Sequence, residues 1–220
     1  MRNAVLIACL LLIIAAAQSA GATATGVQNL SGAAIGYEIT NNPPNPVASN
    51  PNDNMLIIWD EVQNLVLTND LPVDRVADES ASFLTGGPGS WAIKAGTTVS
   101  SHYVQWDPSG TGTVVADLVF DSDIFAFIVD DQKLFDSDET LGLPGLNYND
   151  FTNRALESGD LTAINGNIVS INWFASSPGD WTRLITAFSP TAAVPVPAAV
   201  YLLGSGLLGL AGFRFRKSRS

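Results

Sequence analysis

Between residues 25 and 189 the apolar residues of this chain come in short runs, each closed by a turn signal. TVVADLVF (Thr113–Phe120), IFAFIVD (Ile124–Asp130), NIVSINWFA (Asn167–Ala175) and WTRLITAF (Trp181–Phe188) are the clearest. β-branched and aromatic residues fill them, which suits strands better than helices. TTVSSHYVQWDP (Thr97–Pro108) alternates polar and apolar residues, so successive side chains face opposite sides of a strand. Ser109-Gly110-Thr111-Gly112, Asp121-Ser122-Asp123 and Ser176-Ser177-Pro178-Gly179-Asp180 supply turns. Short strands at regular spacing predict a mainly β fold, a single antiparallel β-sandwich of jelly-roll-like form.

The rest of the body fits around these runs. Ala34–Thr40 is a candidate strand, followed by the proline-broken loop Asn41–Asp53. MLIIWDEVQNLVLTND, from Met55, holds two apolar runs split by polar residues around Asp60–Asn64. Leu71–Gly89 is a long loop ending in Gly86-Gly87-Pro88-Gly89. One helix is expected, Asn149–Ser158, capped by Asn or Asp and stopped before Gly159. No repeat of solenoid period occurs.

The two ends differ from the body. Arg2 precedes an apolar run of 14 residues, Ala4–Ala17, and small residues follow in Ala20-Gly21-Ala22. That is the pattern of a secretory signal peptide, 1–22, handled by the Sec translocon and signal peptidase. The run is short for a membrane span. Cys9, the single cysteine, lies inside this run, so the exported body has neither disulfide nor thiolate.

Charge is partitioned too. The whole chain carries −11, but four of its ten basic residues crowd the C-terminus and one is Arg2. The body sets five basic residues, Arg75, Lys94, Lys133, Arg154 and Arg183, against all 21 acidic ones, a balance of −16. Nucleic acid and anionic lipid are repelled by such a surface. Divalent cations, basic proteins and neutral glycans remain suitable partners.

Few residues stand out as chemistry. Asp121, Asp123, Asp130, Asp131, Asp136, Asp138 and Glu139 fall within 19 positions, a density of hard oxygens that could hold calcium. An EF-hand begun at Asp136 fails, with Leu141 where glycine is needed and Asn147 where glutamate is needed. Turn residues of an acidic β-protein are the preferred reading of this stretch. His102 is the single histidine. Its neighbour Ser101 would point to the opposite face of a strand, which argues against a Ser-His-Asp triad. A zinc site lacks ligands. A glycosidase pair of carboxylates is not marked by any motif. Trp59 and Trp173 lie in apolar runs and are expected in the core. Trp91, after a glycine-rich loop, is the best placed of the five tryptophans to meet a sugar.

The last domain, 190–220, is the most specific part of the sequence. Val194-Pro195-Val196-Pro197 leads into a helix through Ala198–Phe213, about 25 Å long. Ser205, Gly209 and Gly212 line one face, open to close helix packing. Arg214, Arg216, Lys217 and Arg219 follow and predict a cytoplasmic end. A transmembrane helix with its body outside agrees with the signal peptide.

This ending resembles a PEP-CTERM sorting signal: a Pro-x-Pro motif, an apolar helix and a basic tail over the last 27 residues. The middle position is Val196, where the name-giving residue of that family is Glu. The resemblance implies recognition by an exosortase-like membrane transpeptidase and association with extracellular polysaccharide or biofilm matrix. It implies no activity for the body, since bodies with such tails are diverse. The expectation is a non-enzymatic exported protein with no cofactor unless calcium. It is held in the inner membrane by its C-terminal helix, then moved to the cell surface or matrix. The alternatives are a secreted glycan hydrolase and a calcium-dependent adhesion module.

Overall fold

The computed structural model describes residues 24–47, 53–149, 154–176 and 179–188. The expected signal peptide, the Pro-x-Pro motif, the expected helix packing face and the basic tail lie outside the described residues. Among the described residues no helix is long and apolar enough to cross a membrane.

The fold is mainly β, and two sheets share one apolar core. The first has four strands in the order β1 (Ala24–Gly32), β10 (Thr111–Phe120), β13 (Ile168–Ser176), β12 (Leu161–Asn165). All its pairings are antiparallel. The alternation in its sequence decides which face is covered. Val114, Ala116, Leu118 and Phe120 of β10 point inward, as do Val169, Ile171, Trp173 and Ala175 of β13. Residues between them, such as Val115 and Phe174, are exposed.

The second sheet contains β2 (Gly36–Ile39), β3 (Met55–Asp60), β9 (Thr98–Trp106), β14 (Asp180–Thr186), β11 (Ile124–Ile128) and β6 (Arg75–Val76), in that order. A short strand β4 (Leu65–Val66) also pairs with β9. One face of this sheet meets the first, through Leu56, Ile58, Val104, Trp106 and Leu184. Its other face is covered as well. Ile57, Trp59, Tyr103, Trp181 and Ile185 pack there against Leu134 and Leu141 of α1 (Asp131–Leu141) and against a small three-stranded sheet. That sheet is β5 (Leu71–Pro72), β8 (Ala92–Ile93) and β7 (Leu84–Thr85). Strands covered on both faces cannot alternate, which is why MLIIW and DWTRLIT carry little exposed surface.

Several expectations are corrected. The sheets are not wholly antiparallel, because β2 runs parallel to β3. Ala24–Gly32, not among the expected strands, forms β1, with register shifts between Ala24 and Gly26 and between Gln28 and Ser31. The long loop at 71–89 contains β5, β6 and β7.

The helix also lies elsewhere. It spans Asp131–Leu141, within the Asp-rich stretch expected to form turns. Asp130 caps it, accepting from the Lys133 N–H at 3.1 Å. Leu134, Ser137 and Leu141 put one buried face against the sheet. At the expected position, Arg154–Ser158 is irregular. Its backbone donors go to distant acceptors rather than to a preceding turn: Ala155 N–H to Asp131 Oδ1 at 2.7 Å, and Leu156 N–H to Val129 O at 3.2 Å.

Trp173 is fully buried between the two sheets, and Phe174 beside it is 59 % exposed. Trp173→Ala is expected to cost about 3–5 kcal/mol, and Phe174→Ala within about 0.5 kcal/mol. Urea denaturation midpoints of the two variants check this.

Candidate functional site

Three polar constellations interrupt the apolar interior, and each begins on a strand of the second sheet. The largest centres on Arg183 of β14, which is fully buried and is the register partner of Tyr103 on β9. Its five N–H donors are all used. Nε donates to Glu61 Oε2 at 2.6 Å and Nη2 to Glu61 Oε1 at 2.8 Å. Nη2 also donates to Asp138 Oδ1 at 3.1 Å, and Nη1 to Ser137 Oγ at 2.6 Å and Leu134 O at 3.1 Å. Glu61 accepts further bonds from Ser101 Oγ and from the Tyr148 hydroxyl, each at 2.5 Å. Arg154 then binds Asp138 through both Nη atoms, at 2.8 and 3.0 Å, and donates to the Tyr103 hydroxyl at 3.0 Å.

The electrostatics follow from this packing. Burial works against a charged Arg183, but Glu61 outweighs it and the guanidinium is held more firmly protonated than usual. Burial raises the Tyr103 phenol, and burial together with Glu61 raises Tyr148. The arginine charges also lie over the rings: Arg183 Cζ sits 5.2 Å from the Tyr103 centroid and 5.4 Å from that of Tyr148. The cluster joins β14 and β9 to the segment after β3 and to α1.

The second constellation contains the single histidine. His102 Nδ1 lies 2.6 Å from Asp60 Oδ1, and Nε2 lies 3.0 Å from Thr186 Oγ1. The ring is fully buried and packs 4.8 Å from Phe120. Ser101 turns the other way, to Glu61, as strand geometry requires. A carboxylate, an imidazole and a hydroxyl are in line, but enclosed in the core.

The third is a group of carboxylates where the two sheets meet at one end. Glu157, Asp160 and Asp180 each bring an oxygen within 4.8 Å of the others. Asp160 is held by backbone donors, from Glu157 N–H at 2.8 Å and Phe174 N–H at 2.8 Å. Asp180 opens β14 opposite Trp106. It is 1 % exposed, and its Oδ2 has no hydrogen-bond partner. Gly179, at φ +94°, brings the chain so close to β9 that a Cβ would stand 2.6 Å from Trp106 O and 2.8 Å from Asp107 Cβ. Burial, then Asp160 and Glu157, push Asp180 up to about 8. Burial, then Asp53, push Asp107 up to about 6. Asp160 is also raised, chiefly by burial.

The Asp-rich stretch does not converge. Asp121 and Asp123 lie on the turn between β10 and β11. Asp130 caps α1, and Asp131 accepts from the Arg154 and Ala155 N–H groups. Asp136 accepts from Gln132 Nε2 at 2.8 Å, and Asp138 is shared by Arg154 and Arg183. Among the described residues, the one group of three or more ligating side chains close enough to share an ion is Glu157, Asp160 and Asp180. Sequence reasoning missed it because its members are 20 or more positions apart, apart from Glu157 and Asp160.

The tryptophans form no outer platform. Trp59, Trp106, Trp173 and Trp181 are buried, and Trp91 is half-buried. A groove of about 410 Å³ runs beside Gly142–Asn149 and includes Asp138 and Glu139. Asp138 is already taken by two guanidinium groups, so the groove offers no free carboxylate pair from these two. The chain matches no protein-family model, no curated protein and no solved structure.

Two predictions follow from these clusters. Arg183→Met leaves Glu61 charged and buried, and is expected to cost about 3–5 kcal/mol. Adding Glu61→Gln should recover part of that loss, read as a coupling energy in a double-mutant cycle by urea unfolding. Asp180 binds its proton more tightly folded than unfolded, so its contribution is favourable below about pH 4 and is lost as pH rises towards about 8. In metal-free buffer Asp180→Asn should therefore gain stability over the parent between pH 5 and 8, by about 1–3 kcal/mol. An advantage that is flat with pH would contradict this.

Proposed function

We propose that this chain is an exported, non-enzymatic protein of the cell surface or extracellular matrix, delivered by its own C-terminal sorting signal. The single observation that carries the reading is the ending Val194–Ser220: a Pro-Val-Pro motif, an apolar helix-forming segment and four basic residues. It resembles a PEP-CTERM signal, and an exosortase-like transpeptidase is its expected partner. The N-terminal signal pattern at 1–22 supports the same route, since both ends then place the body outside the inner membrane.

The body, in this reading a jelly-roll-like β-sandwich, suits a structural or adhesive role. Its histidine is enclosed between Asp60 and Thr186. The absence of cysteine from residues 25–220 makes its covalent chemistry independent of the redox state outside the cell. Its strong negative charge favours solubility in a hydrated matrix and disfavours nucleic acid. A neutral or cation-bridged polysaccharide is the fitting partner class.

Deleting Val194–Ser220 is expected to move the protein from the membrane fraction to the soluble periplasm or the medium. Replacing Pro195 and Pro197 by Ala should instead hold the unprocessed chain in the inner membrane. Fractionation with intact-mass measurement distinguishes these outcomes. A distribution and mass unchanged by either alteration would refute the sorting role.

A further inference from the structure

The five cations of the body account for the chemistry at its acidic end. Arg183 and Arg154 are committed to Glu61 and Asp138. Lys133 pairs with Asp74, and Lys94 donates to Ser82 O at 2.6 Å. Arg75 reaches the acidic end, but its Nη1 donates to the backbone oxygen of Asp160 at 3.0 Å. Among the described residues, no ion pair joins a basic side chain to Glu157, Asp160 or Asp180. Asp107 lies alongside, 3 % exposed, and adds to the negative field.

Buried carboxylates at such close quarters are relieved either by a proton, as on Asp180, or by a bound cation that displaces it. We propose that Glu157, Asp160 and Asp180 form a calcium site at the junction of the two sheets. Two observations carry this independently of the acidic composition. The three ligand oxygens lie within 4.8 Å of one another, no farther apart than two ligands on opposite sides of an ion with Ca–O bonds near 2.4 Å. Asp180 is 1 % exposed and its Oδ2 lacks any hydrogen-bond partner, so burial leaves one acceptor of the group unsatisfied. Magnesium demands near-ideal octahedral geometry and gives up its waters reluctantly, so a protein-supplied trio of hard carboxylate oxygens favours calcium. The site also ties parts that the ladders leave separate: the 157–160 turn entering β12, and the first residue of β14.

Occupancy in the cell rests on the export reading, because extracellular calcium modules work at about 10⁻⁴–10⁻³ M. Binding itself does not, so an in vitro failure would remove this site and leave the sorting proposal standing. The test uses the full chain, purified in detergent. In 10 mM calcium its Tm should exceed that in EDTA by about 3–8 °C, and magnesium should give a smaller rise. Terbium should show emission sensitised by tryptophan, since Trp106 is the register partner of Asp180 and Trp181 follows it. Asp180→Asn and Glu157→Gln, the latter at an exposed position, should each abolish the calcium-dependent rise and the emission. Asp121→Asn and Asp136→Asn should keep both. The proposal is overturned by equal melting of the parent in calcium and EDTA, by an equal response to magnesium, or by a response that survives in Glu157→Gln.

Discussion

Arg183 is a guanidinium in the middle of a sheet, where an apolar residue would ordinarily stand. Its neighbours on the same strand face, Trp181 and Ile185, are core residues. Burying a charge there is expensive, and only a partner with matching geometry offsets the cost. Glu61 supplies the fork opposite the fork, and every remaining donor of Arg183 meets an oxygen. Those oxygens come from the segment after β3 and from α1. Tyr148, through its bond to Glu61 and its acceptance of the Leu143 N–H at 2.9 Å, adds the loop after the helix. The position of α1 on the sheet is therefore set by hydrogen bonds as much as by Leu134 and Leu141. An apolar contact tolerates sliding, but this set of bonds is satisfied in one arrangement only.

The same cluster explains why the helix was not legible in advance. DDQKLFDSDETLG has the density of acids expected of turns, yet Asp130 is a cap, Leu134 and Leu141 are seven apart, and Gly142 ends the pattern. Gly142 is also sterically required, because a Cβ there would stand 2.8 Å from the Tyr148 ring. The signals were present, but the acid count masked them. Arg154 shows the opposite error. NDFTNRALES has helical texture, but Arg154 is drawn inward to Asp138 and Tyr103, and its segment follows. A long-range salt bridge overrode local propensity.

Strands were legible where one face alone is buried or where apolar runs are dense, as in β3, β10, β13 and β14. β1 was not, because ATGVQNLSG is polar and its pairing with β10 slips twice. The carboxylate group at the sheet junction was hidden for another reason. Its acids gain meaning only when β14 is laid beside β9 and the 157–160 turn folds over both, which no local pattern encodes. The terminal segments are the reverse case: the export and sorting proposal rests on their composition and order alone.

The acidic character of the body is not uniform in its consequences. Carboxylates on the exposed rim, such as Asp117, are relieved by neutral donors: Ser170 and Asn29 bond to it and hold its pKa low. Those in the Arg183 cluster are relieved by fixed cations. The group at the junction has neither in sufficient number, and backbone donors satisfy only Asp160. A chain destined for a compartment rich in divalent cations can leave one such group for the medium to complete. On the proposed export route, the charge imbalance of the body and its terminal segments would be linked, the medium supplying a cation that the sequence omits.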